Sequence, residues 1–202
     1  MRQECQQSVI ARHAVQPLQE LRCGTLNICS ARNKTEGIDT LVRDLKLDIL
    51  SLCETWHEDS DCITIGRLRA LKYNVIEQAR PIAPDARTDS VDCVDHGGVA
   101  LLSTSAVRLT RLAIDGAFKT FEFVCGRVTS KGTPAIILTI YRPGSLPPTA
   151  VFFSELMTML ERFAFMSGVV VITGDINIRL DRATDSHAVH LAELLESYGF
   201  EQ

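Results

Sequence analysis

Short apolar segments alternate along this chain with segments of helical periodicity, and this alternation limits the possible folds more than any other feature. Residues 21–28 and 49–53 have the composition of strands. The segment between them carries apolar residues at the i, i+3, i+4, i+7 spacing of one helix face: Ile38, Leu41, Val42 and Leu45. A strand, a helix and a strand in this order predict an α/β domain in which helices pack on a sheet.

The rest of the chain repeats this alternation. Residues 99–103, 121–125 and 135–141 predict strands, and the turn signal at residues 131–132 makes the last two a hairpin. A helix is expected over residues 152–163, followed by a strand at 169–173 that continues into Gly174 and Asp175. The last helix begins at Asp185 or Ser186 and ends at Gly199. Residues 66–87 are expected to be a loop, and residues 1–20 a loose arm before a domain at 21–202.

Composition and charge narrow the function classes. The longest apolar stretches, residues 135–140 and 168–173, are far shorter than the roughly 20 residues that span a bilayer, so we expect no membrane partner. The net charge of −4 excludes a polycation that binds nucleic acid by charge alone. Seven cysteines, an odd number without a CxxC pair, favour a reducing intracellular location, nuclear or cytoplasmic.

Polar residues follow several of the apolar segments. They are Asn27, Glu54, Tyr141 with Arg142, and Asp175 with Asn177. Strand ends that open on one side are where such folds place functional side chains. A carboxylate at one strand end can bind Mg²⁺, and a second carboxylate with an amide two residues on can position and activate a water. A phenol and a guanidinium can face a phosphate. This pattern favours hydrolysis of a phosphate ester.

Each of these residues has a structural alternative, because polar residues at strand ends also cap and stabilise turns. The recurrence of the pattern at four strand ends is what favours a site. The sequence contains neither the GxSxG elbow of serine hydrolases nor the GxxxxGK[ST] phosphate-binding loop of P-loop proteins, so these two classes are not favoured.

Five segments follow one another between residues 21 and 202: TLNICSARNK, LSLCETW, GGVALL, TIYRPGS and VVITGDINIRLD. Together they resemble the endonuclease/exonuclease/phosphatase superfamily, the metal-dependent relatives of deoxyribonuclease I. The ETW, YRPGS and GDIN wording is most similar to the apurinic-type endonuclease domain of LINE-type (non-LTR) retrotransposons. The resemblance implies an α/β fold, a four-layer α/β sandwich of two mixed sheets with outer helices.

The resemblance also implies roles for individual residues. Glu54 resembles the metal-binding glutamate, and Asn27 the asparagine that helps hold metal and scissile phosphate. Tyr141 resembles the tyrosine that hydrogen-bonds the phosphate, Asp175 the general base for the attacking water, and Asn177 the asparagine that orients this water. The implied cofactor is Mg²⁺ or Mn²⁺. Three basic residues are expected to contact the DNA backbone: Arg142, Arg32 and Lys34.

The chain departs from the family pattern in two ways. Cys29 and Gly144 stand where some members have an acidic residue and an asparagine. The family also closes its site with an Asp-His motif on a late strand, and this sequence ends before one. Asp185, Ser186 and His187 come in the wrong order and fit a helix N-cap better. We therefore expect a domain that is incomplete at its C-terminus, lacks its final strands and has impaired activity.

The sequence thus predicts a Mg²⁺-dependent phosphodiester hydrolase, a DNA-nicking endonuclease of retrotransposon type. Its expected partners are DNA and, in a full-length element, a downstream reverse transcriptase. Two alternatives remain open. One is a phosphatase or phosphodiesterase of the same superfamily that acts on lipid or nucleotide substrates, and the other is a non-catalytic nucleic-acid-binding remnant.

Overall fold

The apolar segments of the sequence form two β-sheets with helices on their outer faces. The computed structural model describes residues 10–12, 21–57, 62–80, 97–129, 134–182 and 184–201. Within these ranges the strands are β1 (Ile10–Arg12), β2 (Cys23–Asn27), β3 (Ile49–Cys53), β4 (Asn74–Gln78), β5 (Val99–Ser103), β6 (Arg108–Arg111), β7 (Glu122–Thr129), β8 (Ala135–Tyr141) and β9 (Val169–Asp175). The helices are α1 (Thr35–Asp44), α2 (Ile63–Ala70), α3 (Ala150–Ala164) and α4 (Ser186–Ser197).

Both sheets are mixed. The five-stranded sheet has the order β1-β9-β8-β7-β6 and the four-stranded sheet the order β2-β3-β5-β4. Each sheet contains one parallel pair, β8 with β9 and β2 with β3, and its other neighbouring strands are antiparallel. Because parallel strands end at the same edge, Tyr141 is paired with Asp175 in one sheet and Asn27 with Cys53 in the other.

Three apolar clusters separate four layers. Leu138 of β8 packs with Phe152 and Leu156 of α3 on the outer face of the five-stranded sheet. On the outer face of the four-stranded sheet, α1 and α2 cover a second cluster, which includes Ile38, Leu52 and Leu68. A third cluster fills the space between the sheets, with Leu101, Val124 and Ile137 among its members. Helix, sheet, sheet and helix therefore stack in this order, which confirms the predicted four-layer α/β sandwich.

A small polar group lies between the two sheets, directly below the strand ends. Ser51 of β3, Thr139 of β8 and Thr173 of β9 are at most 3 % exposed. Their hydroxyls bond one another at 2.7 Å (Ser51–Thr173), 2.9 Å (Thr139–Ser51) and 3.2 Å (Thr139–Thr173). We call this group the hydroxyl cluster. Since side chains two residues apart point to the same face of a strand, it lies one step below Cys53, Tyr141 and Asp175.

The structure corrects two expectations. Residues 66–87 are not simply a loop, because α2 continues to Ala70 and β4 follows. The basic residues and Gly66 weaken the helical pattern in the sequence, but burial of Ile65 and Leu68 against the sheet stabilises the helix. Within the segment expected to be a loose arm, Ile10–Arg12 pair with β9 as an edge strand. The hairpin of β7 and β8 and the last helix, capped by Asp185, are confirmed, and the turn signal at residues 131–132 lies outside the described residues.

No helix in the described ranges combines the length and the apolar character needed to cross a membrane.

Candidate active site

The side chain of Asn27 joins carboxylates from the two sheets. Its Nδ2 donates hydrogen bonds to Glu54 Oε1 at 2.8 Å and to Asp175 Oδ2 at 2.9 Å. Asn27 ends β2, Glu54 follows β3 and Asp175 ends β9. Residues that are 148 positions apart in the sequence therefore meet at one edge of the sandwich. The amide stabilises two negative charges that would otherwise repel each other at short range.

Tyr141 completes this group from β8. Its hydroxyl donates to Glu54 Oε1 at 3.0 Å, and the residue is 4 % exposed. Burial raises the pKa of the Tyr141 phenol above its ordinary value of 10, and the hydrogen bond and negative charge of Glu54 raise it further. The phenol is therefore a neutral donor throughout the physiological pH range.

The loop after β9 orients Asn177 around Asp175. The backbone N–H of Asn177 donates to Asp175 Oδ1 at 3.0 Å, and its side-chain Nδ2 donates to Arg142 O at 2.8 Å. Asn177 adopts a left-handed backbone conformation with φ of 54°, which asparagine tolerates better than most residues. A Cβ at Gly144 would lie 2.8 Å from Asn177 Oδ1. The family departure at Gly144 thus leaves room for the Asn177 amide.

Arg142 does not have the geometry of the DNA contact that the sequence predicts. The residue is 5 % exposed. Its guanidinium donates to four backbone carbonyls at 2.7–2.9 Å, those of Ile176, Pro143, Leu146 and Asn177. Burial lowers the pKa of Arg142, although the charge of Asp175 acts in the opposite direction. Because its donors are engaged by main-chain oxygens, Arg142 ties the loops after β8 and β9 together.

The other two predicted DNA contacts lie on the loop after β2. Arg32 and Lys34 are both exposed. Lys34 Nζ donates to the carbonyls of Ile28 at 2.6 Å and Cys29 at 3.0 Å, so this side chain also stabilises the loop beside the candidate site. The backbone N–H of Cys29 in turn donates to Asn27 Oδ1 at 3.2 Å. Cys29 therefore supports the Asn27 amide through its backbone, whereas the acidic side chain of some family members is absent.

Sequence reasoning missed a buried network formed by residues that follow Glu54 along the chain. The side chain of His57 is fully buried, with Nδ1 at 2.6 Å from Thr55 Oγ1 and Nε2 at 3.0 Å from Glu77 Oε2. Glu54 itself has a left-handed backbone with φ of 54°, a conformation that must be held by its surroundings. The string Glu54-Thr55-Trp56-His57 places a histidine close to Glu54 in the sequence. Its hydrogen-bond partner Glu77 could not be predicted, because it lies in the segment expected to be a loop.

The donor set fits a hard divalent cation. Glu54 and Asp175 supply carboxylate oxygens, and Mg²⁺ is typically bound by one or two carboxylates together with waters and substrate phosphate oxygens. Asn27 presents its Nδ2, so it would ligate a cation only after its amide rotates to exchange Oδ1 and Nδ2. No group of three or more His, Cys, Asp and Glu side chains with metal-binding geometry occurs among the described residues.

The two mixed sheets, with helices on both outer faces, place the chain in the fold class of the metal-dependent nucleases and phosphodiesterases. Residues 24–191 match the model of the Endonuclease/Exonuclease/phosphatase family, and the chain belongs to this family. The members are hydrolytic nucleases and phosphodiesterases, and the superfamily generally depends on divalent metals.

Solved structures of several enzymes share the fold. The chain is similar to a variant of the 3' phosphatase NExo from Neisseria bound to a product DNA hairpin, with 16% identity and a TM-score of 0.60, over 89% of this chain and 71% of that one. The human Nocturnin catalytic domain with bound sulfate is 18% identical, with a TM-score of 0.57 over 85% of this chain and 68% of that one. An AP endonuclease from Archaeoglobus fulgidus is 16% identical, with a TM-score of 0.55 over 88% of this chain and 71% of that one. No curated protein matches the chain significantly.

Proposed function

We propose that this protein is a Mg²⁺-dependent phosphodiester hydrolase that nicks DNA. One observation carries the proposal: Glu54 and Asp175, from different sheets, share the Asn27 amide beside the neutral phenol of Tyr141. Two half-buried carboxylates brought together in this way supply both a cation ligand and a base. A polar group that only capped its own strand would need no partner from the opposite sheet.

Each residue has a chemical role in this proposal. Glu54 holds the cation, with Asn27 beside it, and Mn²⁺ fits the same oxygen ligands. When bound, the cation supplies positive charge that offsets the charge developing on the phosphate oxygens. Asp175 accepts the proton of the attacking water, and Asn177 Oδ1 accepts a hydrogen bond from the same water. The water oxygen bonds to phosphorus as one ester P–O bond breaks, and the leaving oxygen takes a proton from solvent. The Tyr141 hydroxyl donates to a nonbridging phosphate oxygen once it leaves Glu54.

The choice of DNA rests on residues beside the site and on relatives. Arg32 and Lys34 lie on the exposed loop after β2, where cationic side chains can contact the backbone of a nucleic acid. Two of the similar structures contain DNA products, those of NExo and of D. rerio TDP2. The finer assignment, an apurinic-type endonuclease of a LINE-type element that acts with a reverse transcriptase in the nucleus or cytoplasm, rests on the ETW, YRPGS and GDIN wording.

Nicking of supercoiled plasmid tests the proposal. Because the sequence predicts impaired activity, we expect slow relaxation of the plasmid with Mg²⁺ or Mn²⁺ and none with EDTA. Asp175→Asn keeps the shape of the side chain but removes the base, and such a change costs about 10²- to 10⁴-fold in rate. Asp181→Asn is the matched control, because Asp181 is exposed and pairs with Arg179. Full activity of the Asp175→Asn variant would contradict the proposal, and so would a preference for poly(A) or inositol phosphates over plasmid.

Metal titration separates an enzyme from a non-catalytic binder. At a Mg²⁺ concentration about tenfold above Kd, binding to the folded state alone raises the free energy of unfolding by about 1.4 kcal/mol. We expect this stabilisation in the wild type and its loss in Glu54→Gln. An equal effect of Mg²⁺ on both proteins would show that the cation binds elsewhere.

A further inference from the structure

A cavity of about 730 Å³ opens next to the candidate active site. Its walls come from the end of β4, the segment after β6 and the first half of β7. Pro143, which follows Arg142 in the loop after β8, closes one side. Pockets of roughly 300–1,000 Å³ are typical of small-molecule and cofactor sites, so this cavity is large enough for a nucleoside-sized group.

Aromatic rings form one wall of the cavity. The ring of Phe118 lies 5.5 Å from that of Phe121 and 5.3 Å from that of Phe123, measured between centroids. Phe118 and Phe123 are only partly buried, whereas Phe121 is 4 % exposed. Leu112 and Ile114 extend the apolar surface. A planar apolar group that enters the cavity can therefore contact ring faces and edges that remain accessible.

The opposite wall connects the cavity to the candidate active site. Arg80 forms an ion pair with Glu122, which also accepts a hydrogen bond from the backbone N–H of Gly98. The Arg80 guanidinium lies over the Tyr141 ring, 6.0 Å from its centroid, and Glu122 is paired with Tyr141 across β7 and β8. Because Arg80 neutralises Glu122, this acidic residue does not repel an anionic ligand. A ligand in the cavity would thus be next to the phenol that we assign to the phosphate.

Two further cationic side chains line the cavity. Arg111 and Lys119 are exposed there. Together with the neutralised Glu122, they favour an anionic ligand with a planar apolar part. Aromatic walls with cationic neighbours are the combination that proteins use for the bases and phosphates of single-stranded nucleic acid, because every base has a face that can stack.

We propose that this cavity binds one unpaired nucleobase of the DNA strand whose phosphodiester lies at Glu54, Tyr141 and Asp175. The proposal deepens the proposed function and rests on it, since it assumes that the strand passes the candidate active site. Phe118 supplies the stacking surface, and Lys119 contacts a phosphate next to the bound base. The protein therefore prefers DNA that is single-stranded or easily opened beside the cleaved bond.

A double-mutant cycle between protein and DNA tests the base-binding cavity. The probes are a short fluorescent single-stranded oligonucleotide and a series of copies that lack one base at successive positions. Binding is measured in EDTA, so it does not depend on hydrolysis. Phe118→Leu keeps an apolar side chain against Phe121 and Phe123 but removes the aromatic face. Phe165→Leu is the matched control, because Phe165 is 94 % exposed and does not line the cavity.

Phe118→Leu should weaken binding of the complete oligonucleotide by about 5- to 100-fold, the range found when a base loses its aromatic partner. For one of the abasic probes the same substitution should change the affinity less than about twofold. Lys119→Ser should weaken all probes by a similar factor, and Phe165→Leu none. An unchanged unfolding midpoint of Phe118→Leu shows that the fold is kept.

Three results would overturn the base-binding cavity: equal effects of Phe118→Leu on all probes, no effect on any probe, or no oligonucleotide binding by the wild type. Plasmid nicking reports separately on the hydrolase. Nicking without coupling between Phe118 and a base would remove the cavity proposal and leave the hydrolase in place. Coupling without nicking would support the cavity and remove the hydrolase.

Discussion

The hydroxyl cluster allows a quantitative test of how the two sheets are joined. Thr173→Val replaces the hydroxyl with a methyl group of nearly equal size, so packing is conserved and only hydrogen bonding changes. The Thr173 hydroxyl lies 2.7 Å from that of Ser51, 3.2 Å from that of Thr139 and 3.3 Å from Leu138 O. Each buried hydrogen bond contributes about 1 kcal/mol, and a partner left unsatisfied costs more. We expect Thr173→Val to lower the free energy of unfolding by about 2–3 kcal/mol.

The assay is urea or thermal unfolding followed by circular dichroism. For a domain of this size, about 1 kcal/mol corresponds to roughly 2–4 °C in Tm, so Thr173→Val should lower Tm by about 5–10 °C. Thr158→Val is the matched control, because this hydroxyl bonds a carbonyl of its own helix near the surface. The control should change the free energy of unfolding by less than about 0.5 kcal/mol.

The decisive variant removes all three hydroxyls of the cluster. Ser51→Ala, Thr139→Val and Thr173→Val together leave no polar partner unsatisfied within the cluster, and replacing a whole polar group by apolar groups can be nearly neutral. We expect the triple variant to be less than about 1 kcal/mol from wild type and more stable than Thr173→Val alone. If the three substitutions add, each hydroxyl acts independently, and the view of the cluster as one cooperative unit is wrong.

Three further predictions concern other parts of the fold. Gly174→Ala should lower the free energy of unfolding in urea by at least about 4 kcal/mol, because Gly174 has a φ of 117° and a Cβ there would clash with the backbone oxygen of Ile140. Gly66→Ala, on the open surface of α2, should raise it by about 0.5–1 kcal/mol. Burial alone would raise the pKa of Glu155, but hydrogen bonds from Thr120 and a backbone N–H outweigh it and lower this pKa. The stability from Glu155 is therefore present above its ordinary pKa of 4.5 and lost as the pH falls through its lowered pKa, so the difference in stability between wild type and Glu155→Gln should narrow as the pH falls below 4.5. Arg142→Lys should lower the nicking kcat by about tenfold or more with little change in KM, because one ammonium cannot bond four carbonyls; a change in KM alone would indicate a direct substrate contact.

The strands were the most predictable part of the fold. β3, β8 and β9 are apolar runs buried between layers, so their composition alone indicates them. Helix α2 was not predictable in the same way, because its Gly66 and two arginines give weak periodicity and contacts of Ile65 and Leu68 with the sheet stabilise it. Pairing of Ile10–Arg12 with β9 is likewise a tertiary contact, and a strand of three residues is too short to give a recognisable sequence pattern.

For the candidate site, the sequence indicated which side chains meet but not how they bond. Strand ends brought Asn27, Glu54, Tyr141 and Asp175 together, as the order of the motifs predicted. The direction of the Asn27 amide depends on the neighbouring Cys29 N–H, a local contact without a sequence signature. The inward orientation of Arg142 depends on carbonyls from a loop more than thirty residues later. Position at the strand ends therefore predicted proximity, whereas the hydrogen bonds depend on side-chain orientation.

The assembly of the candidate site from both sheets has a consequence for its robustness. Glu54 and Asn27 belong to one layer, whereas Tyr141, Asp175 and Asn177 are carried by the other and are tied together through Arg142. A slight shift of one layer across its neighbour would leave each half internally intact but separate Glu54 and Asn27 from Asp175. We therefore expect heating or mild denaturant to abolish nicking activity before the circular dichroism signal of either layer is lost. Nicking activity would then report the alignment of the two layers before unfolding is detected.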